Sequence, residues 1–494
     1  MADKLHKGTS RQKCRVHMAP FDGPHGIANA FGHGGIGMKY TSLTSAGRNT
    51  LSGLAVLALC ACGSAEVIDT TSEPSTNNGG KADSGWVGAD TFEVDAVVRS
   101  QVSIAASTFS DWSSIEKDTE LQAKLIDLQL KFIKTSAEAE GWRFNQLADS
   151  AVIERVETDG DVVTLHYSAI VDMLGRLDRK DPPALEDLDT PRFTALVPAT
   201  PDGFDGATMR ACSKTDAGHS VADYNFHYYF APETAGCELQ TVKAELEITK
   251  VFDRPITYPE YDQLLQQIDE KTYGFYAALV PNRGDKDPKS RFDTHAEMLE
   301  RDLNLTGVDM EDGAFRRYTW QQEVPDGKVI VMIIDLYDPS ELPWTTDFAS
   351  SFRERLGAYT LVHYNGHSAY GSKHLLDEPE SFTDAYQIIT LHSCQSYAYY
   401  SRQVFRAKAT DADPSGFALA DIMATGKSSY PSGAPPTLEV LLSSLFAGMV
   451  AIAEGNPEDA PDWITITEAM ANSTWGDIMY GMAGVRTNRW QPAL

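Results

Sequence analysis

Two short stretches of the chain end in residues able to do chemistry. Tyr359-Thr-Leu-Val-His-Tyr-Asn-Gly-His-Ser368 and Gln387-Ile-Ile-Thr-Leu-His-Ser-Cys-Gln-Ser396 each open as an apolar run with the length and content of a buried strand, then break off in polar residues. One delivers His367 and the other Cys394. Side by side at neighbouring strand ends they would form a thiol–imidazole pair, in which the imidazole takes the thiol proton and leaves a sulfur nucleophile. His363, His374 and His392 share the window, so a metal reading stands beside this one. Residues two apart on a strand share a face, which lets His392 and Cys394 meet one ion with His367 as a third ligand, although no HExxH or CxxC spacing accompanies them. A third reading leaves His363 and His392 as strand packing and Cys394 as a buried structural thiol.

The elements around these runs alternate strand with helix. Patterning predicts a helical connector over 262–269, a strand over 273–280, a helix over 294–303, and a strand over 315–324 that turns at Pro325-Asp326-Gly327 into another over 329–335. A helix over 348–356, the two runs themselves, a helix over 397–408, a strand over 420–425 and a helix over 438–453 follow. Apolar strands separated by helices make an α/β domain over 256–494, its mainly parallel sheet covered on both faces. In such sheets functional groups gather beyond the carboxyl ends of the strands, where His367 and Cys394 fall. Asp335 could line the same cleft and favour a basic substrate group, or cap a helix. Asp421-Ile-Met-Ala-Thr-Gly-Lys-Ser428 has Asp where a phosphate loop requires Gly, so no nucleotide site is read there. Tyr397, Tyr399 and Tyr400 read as helix packing.

An apolar strand ending in Gly366-His367, then one ending at Cys394, resembles the caspase-like cysteine peptidases of the legumain, gingipain and metacaspase group. The likeness covers roughly residues 270–455 in fold and these two motifs in detail. It implies helices on a mainly parallel sheet, His367 as general acid and base, Cys394 as nucleophile, and the backbone amides of Gly366 and Cys394 as oxyanion donors. It also implies substrate-pocket residues on the loop from Gly426 to Tyr430, with Ser368, Gln395, Lys427 and Ser428 beside Asp335 as cleft candidates. This chain has Ser368 after the His and Ser393 before the Cys, where those families usually carry small residues. The implied substrate is a peptide or protein, and no cofactor is implied. The competing function is a binding or scaffold protein that keeps the fold without catalysis.

At 494 residues the chain is too long for one hydrophobic core. Its formal charge of -28 argues against nucleic acid or an anionic membrane surface as partner, since both need a basic face. Residues 1–37, rich in Gly and His, precede Met38, which is read as the natural start, with the segment before it an upstream extension. Lys39 and Arg48, the apolar run 51–59 and Leu59-Cys60-Ala61-Cys62-Gly63-Ser64 then resemble a bacterial lipoprotein signal over 38–61, with Cys62 as the lipid-modified residue. The alternative is a plain secretory signal cleaved nearby. Gly63 after the Cys implies sorting to an outer membrane, so that the only membrane contact is through the lipid. Without its first 61 residues, which hold seven basic and two acidic side chains, the chain has a charge of -33.

Residues 62–85 read as a flexible tether, and 86–255 as a smaller α+β domain with a helix over 121–139 and a hairpin turning at Thr158-Asp159-Gly160-Asp161. Strands at 210–212 and 224–230 would be tied by a Cys212–Cys237 disulfide, which export favours. That pairing leaves Cys394 as the unpaired thiol of the mature body. His219 and His227 read as surface or packing residues, and no constellation for chemistry is read in this domain.

Overall fold

A computed structural model describes residues 81, 83–105, 118–144, 151–177, 181–215, 220–223, 225–282, 288–310, 315–338, 347–368, 376, 378–476 and 478–492. The expected signal, Cys62 and most of the tether lie outside these residues, as do His219 and His374. The described residues belong to one compact unit built on two sheets.

Long alternating strands make the smaller sheet. After the short β1 (Trp86–Val87), β2 (Thr91–Ala105) buries Val94, Ala96, Val98, Val102 and Ile104 along one face. β3 (Arg143–Phe144), β4 (Val152–Asp159), β5 (Val162–Arg176), β6 (Arg192–Pro198) and β7 (Thr241–Val251) complete an antiparallel sheet in the order β3-β5-β2-β7-β6, with β4 beside β5. The β4–β5 hairpin turns at Gly160, whose φ of 57° suits glycine. α1 (Thr119–Leu130) and α2 (Lys134–Ala139) cover the sheet with Leu125, Ile126, Leu130 and Ala137. Where the sequence suggests strands at 210–212 and 224–230, the chain forms α3 (Gly206–Ala211) and α4 (Phe226–Tyr229). Asp205 accepts from the amides of Ala207 and Thr208, and this cap turns the segment before Cys212 into a helix. The Cys212–Cys237 disulfide is formed, 25 residues apart in sequence.

In the larger region α5 (Tyr261–Leu264) is a single turn that gives way to β8 (Gln266–Gln267), not the longer connector expected. β9 (Thr272–Pro281), β10 (Val308–Met310), β11 (Phe315–Glu323), β12 (Val329–Tyr337), β13 (Leu361–Asn365), β14 (Gln387–His392), β15 (Ala420–Thr425) and β16 (Tyr480–Ala483) form a sheet ordered β1-β16-β15-β14-β13-β9-β12-β11-β10, with β8 on β9. Only the five central strands β12, β9, β13, β14 and β15 are mutually parallel; the flanking pairings are antiparallel, so the sheet is mixed and the expectation of a mainly parallel one holds for its centre alone. The flanks are short or half-exposed, as in β11, and lack the continuous apolar runs that mark the centre. α6 (Pro288–Glu297), α9 (Ala434–Ala453) and α10 (Trp463–Ser473) cover one face, α7 (Asp347–Leu356) and α8 (Ser396–Lys408) the other. The helix ending at Ala453 is long and apolar enough to cross a membrane, but it buries Leu438, Leu441, Leu445 and Met449 against the sheet.

The chain enters this body earlier than the expected boundary at 86. β1 pairs with β16 of the larger sheet, and Lys81 is fully buried between Asp421 (2.5 Å) and Glu260 (2.9 Å). Tyr386 donates to the other Asp421 oxygen at 2.7 Å. The end of the expected tether is therefore fixed, because an ammonium without its carboxylates could not stay buried. Lys81→Met leaves two buried carboxylates uncompensated and is expected to lower the unfolding free energy by about 3–5 kcal/mol in urea titration; an unchanged midpoint would contradict the buried pairing.

Candidate active site

The strand order places β9 between β12 and β13, so successive connections reverse direction there, and the gap beyond their carboxyl ends is the switch point of the sheet. β9 ends in Asn282, β13 in Asn365, Gly366 and His367, and β14 next door in His392, Ser393 and Cys394. The β13–β14 ladder runs one step past its last strand pair, with the Gly366 amide donating to His392 O at 3.2 Å. Ser368 Oγ then donates to Ser393 Oγ at 2.9 Å. These bonds draw the loop carrying His367 onto the turn carrying Cys394. Glycine is required at 366 by close approach, since a Cβ there would lie 2.2 Å from Tyr364 Oη and 2.7 Å from Asn282 Cβ. Tyr364 Oη in turn donates to His367 O at 3.0 Å and accepts from Asn282 Nδ2 at 2.8 Å, fixing the histidine backbone.

Cys394 leaves the sheet on a turn that is held from several sides. Gln395, the next residue, has φ 50° and ψ 42°, a left-handed conformation that costs a non-glycine residue about 1–2 kcal/mol. Its amide donates to Lys427 O at 2.9 Å, while Ser396 Oγ donates to Leu391 O at 2.6 Å and accepts from the Thr425 amide at 2.9 Å. Thr425 Oγ1 also donates to Ser393 O. The turn aims Cys394, partly exposed, at the loop after β15, where Sγ donates to Ser429 O at 3.5 Å.

Several expected site residues come together here and others do not. His367, Ser368, Cys394, Gln395, Lys427 and Ser428 cluster around the two turns. The Gly366 amide, expected as an oxyanion donor, is committed to His392 O by the extended ladder, which leaves the Cys394 amide of that pair. Asp335 does not line the cleft: it is fully buried on β12, bonded by both oxygens to Arg317 (2.7 and 2.8 Å) and by Tyr359 Oη at 2.6 Å. His392 has both ring nitrogens engaged, with Tyr430 O and Tyr480 Oη at 3.0 Å each, and its strand ends before Cys394, so the two do not share a strand face toward one ion. Among the described residues no group of three or more His, Cys, Asp or Glu side chains is arranged to hold a metal.

Two layers around the turns had no local sequence signal. Beneath them His295 of α6 lies with its ring 5.6 Å from that of His363, whose Nδ1 meets Thr390 Oγ1 at 2.6 Å. The second ring nitrogen of each is buried and has no hydrogen-bond partner among the described residues. Above the turns α2 and α4 of the smaller sheet bring in Lys134, Glu138, His227 and Tyr228: Gln395 Nε2 donates to Glu138 Oε1 at 2.7 Å, Tyr228 Oη lies 3.3 Å from Ser428 Oγ, and the Tyr228 ring stacks on Tyr399. These contacts join segments well over a hundred residues apart in sequence. No protein-family model, curated protein or solved structure matches the chain.

Burial disfavours the imidazolium form, so the pKa of His295 and of His392 falls to about 4 and that of His363 falls well below its ordinary value. The contribution of His295 and His392 to stability is fully present above the unfolded value near 6.5 and is lost as pH falls through about 4. In NMR, the His295 and His392 ring resonances are expected to stay at neutral-imidazole positions from pH 8 down to roughly pH 5. A titration midpoint near the ordinary histidine value for either ring would contradict the buried arrangement.

Proposed function

We propose that the protein is an exported, lipid-anchored cysteine peptidase, its larger region caspase-like, which hydrolyses peptide bonds through Cys394 and His367. The observation that carries this reading is the meeting of the two turns beyond the carboxyl ends of the adjacent strands β13 and β14, beside the sheet's switch point, through Gly366 N to His392 O and Ser368 to Ser393. In the reaction His367 takes the Sγ proton and the thiolate adds to the scissile carbonyl, forming a C–S bond and an oxyanion to which the Cys394 amide donates. Collapse breaks the C–N bond, with His367 returning the proton to the leaving amine, and a thioester remains on Cys394. Water, deprotonated by His367, then adds to the thioester; the acid leaves and the thiol is restored. Ser368, Gln395, Lys427 and Ser428 form the rim that meets the peptide on either side. The lipid on Cys62 holds the molecule at the outer membrane, with peptides or proteins as its substrates.

A second reading, a surface scaffold without catalysis, is favoured by one observation: the thiol proton is directed at Ser429 O and the mouth is faced by Tyr228 and Glu138. An alkylating peptidyl ketone separates the two. The peptidase reading expects labelling at Cys394, mapped by peptide mass spectrometry, to fall at least tenfold in His367→Ala; equal labelling of both proteins favours the scaffold.

A further inference from the structure

The wall that the smaller sheet contributes has a charged centre. Lys134 is buried, with Nζ 2.9 Å from Glu138 Oε1 and 3.8 Å from the centre of the Tyr228 ring. Each of these partners leads to a neighbour of the thiol. Glu138 accepts from Gln395, the residue after Cys394, and Tyr228 meets Ser428, the residue before the carbonyl that accepts the Cys394 proton. The ammonium thus sits between two side chains, one bonded to the residue after Cys394 and the other beside the residue before its acceptor.

We propose that Lys134 is a positioning residue for Cys394, a cation supplied by the smaller sheet that stabilises the thiolate and thereby makes the two sheets one functional site. The proposal rests on the reading of Cys394 as a nucleophile but not on the identity of the electrophile. A buried ammonium acts on a nearby thiolate through a medium that screens far less than water, so its removal is felt directly in the thiolate population. Among the described residues, the other titratable or charged groups around the thiol are Glu138 from α2, Arg143 beside it on β3, Tyr228 from α4, Tyr399 from α8, Lys427 from the loop after β15 and His367 from the loop after β13. Burial raises the pKa of Tyr228 and of Tyr399, so both stay neutral. His227 packs against Tyr399, and burial lowers its pKa to about 3, so it too carries no charge at neutral pH. Burial lowers the pKa of Lys134 itself, and the Glu138 carboxylate opposes that shift. Glu138 therefore keeps the ammonium charged while partly cancelling its field.

The test is the pH–rate curve for alkylation of Cys394 by iodoacetamide in the full chain. The plateau at alkaline pH reads access to the sulfur, and the position of the curve reads the charge around it. Lys134→Met is expected to move the curve to higher pH, slowing alkylation at pH 7 by about three- to tenfold, with the plateau unchanged; Lys134→Arg is expected to keep the wild-type position. Lys134→Gln, which retains a donor for Glu138, is expected to move the curve the same way as methionine and decides alone should the methionine variant fail to fold. A curve that stays in place in both Lys134→Met and Lys134→Gln, or that moves equally in Lys134→Arg, overturns the proposal. Iodoacetamide is not a peptide, so a shifted curve in a protein that cleaves no peptide would remove the peptidase reading and leave this one standing.

Discussion

The hydrogen bond from the Gly366 amide to His392 O is the constraint on which the candidate site depends. Beyond it two loops separate, one carrying His367 and the other Cys394, and it sets the register that the Ser368–Ser393 bond then continues. The bond needs a residue without a side chain, because Tyr364 and Asn282 fill the space where a Cβ would sit. Tyr364 and Asn282 in turn fix the backbone of His367, so the requirement for glycine and the placement of the histidine share one cause. On the other strand the left-handed Gln395 stores strain that the Thr425 and Ser396 bonds offset, and this forces an abrupt exit from the sheet at Cys394.

Much of the central sheet was legible from sequence because its strands are buried on both faces and mostly apolar. Runs such as Ile388 to Leu391 and Ala420 to Ala424 can be little else than buried strands, and the structure ends them within a residue or two of where the pattern breaks. Of the antiparallel flanks β11 was legible, as the strand over 315–324 that turns at Pro325-Asp326-Gly327, whereas β1, β10 and β16 were not, having only a few residues each. The sequence also misled at α3 and α4: at the second, aromatic residues suggest a strand, and at the first the Asp205 cap decides for helix. At the candidate site the residues adjacent in sequence to the two motifs were legible, from Ser368 to Gln395. Asp335 was misplaced because a strand-end carboxylate looks the same whether it meets solvent or, as here, Arg317 across the sheet. His295 and Lys134 could not be found by spacing at all, because the contacts that give them meaning are tertiary.

The two sheets were expected to be separate domains, the first without chemistry. Instead the polypeptide enters through Lys81 into the larger region and places β1 there before β2 begins the smaller one; α2 and α4 then reach the mouth above Cys394. Glu93 of β2 accepts from Tyr397 of α8 at 2.5 Å and pairs with Arg486 near the carboxyl terminus, a further polar tie between the regions. An arrangement with buried ions at several crossings is costly to assemble and destabilising to break, which favours one fixed relation between the sheets.

The most direct test of the central claim is digestion of a proteome-derived peptide library by the purified chain, with the new termini read by mass spectrometry. The account predicts a set of cleavages made by the wild-type protein and lost in both Cys394→Ala and His367→Ala. The absence of any new terminus with the wild type, or the same cleavages with Cys394→Ala, would contradict it.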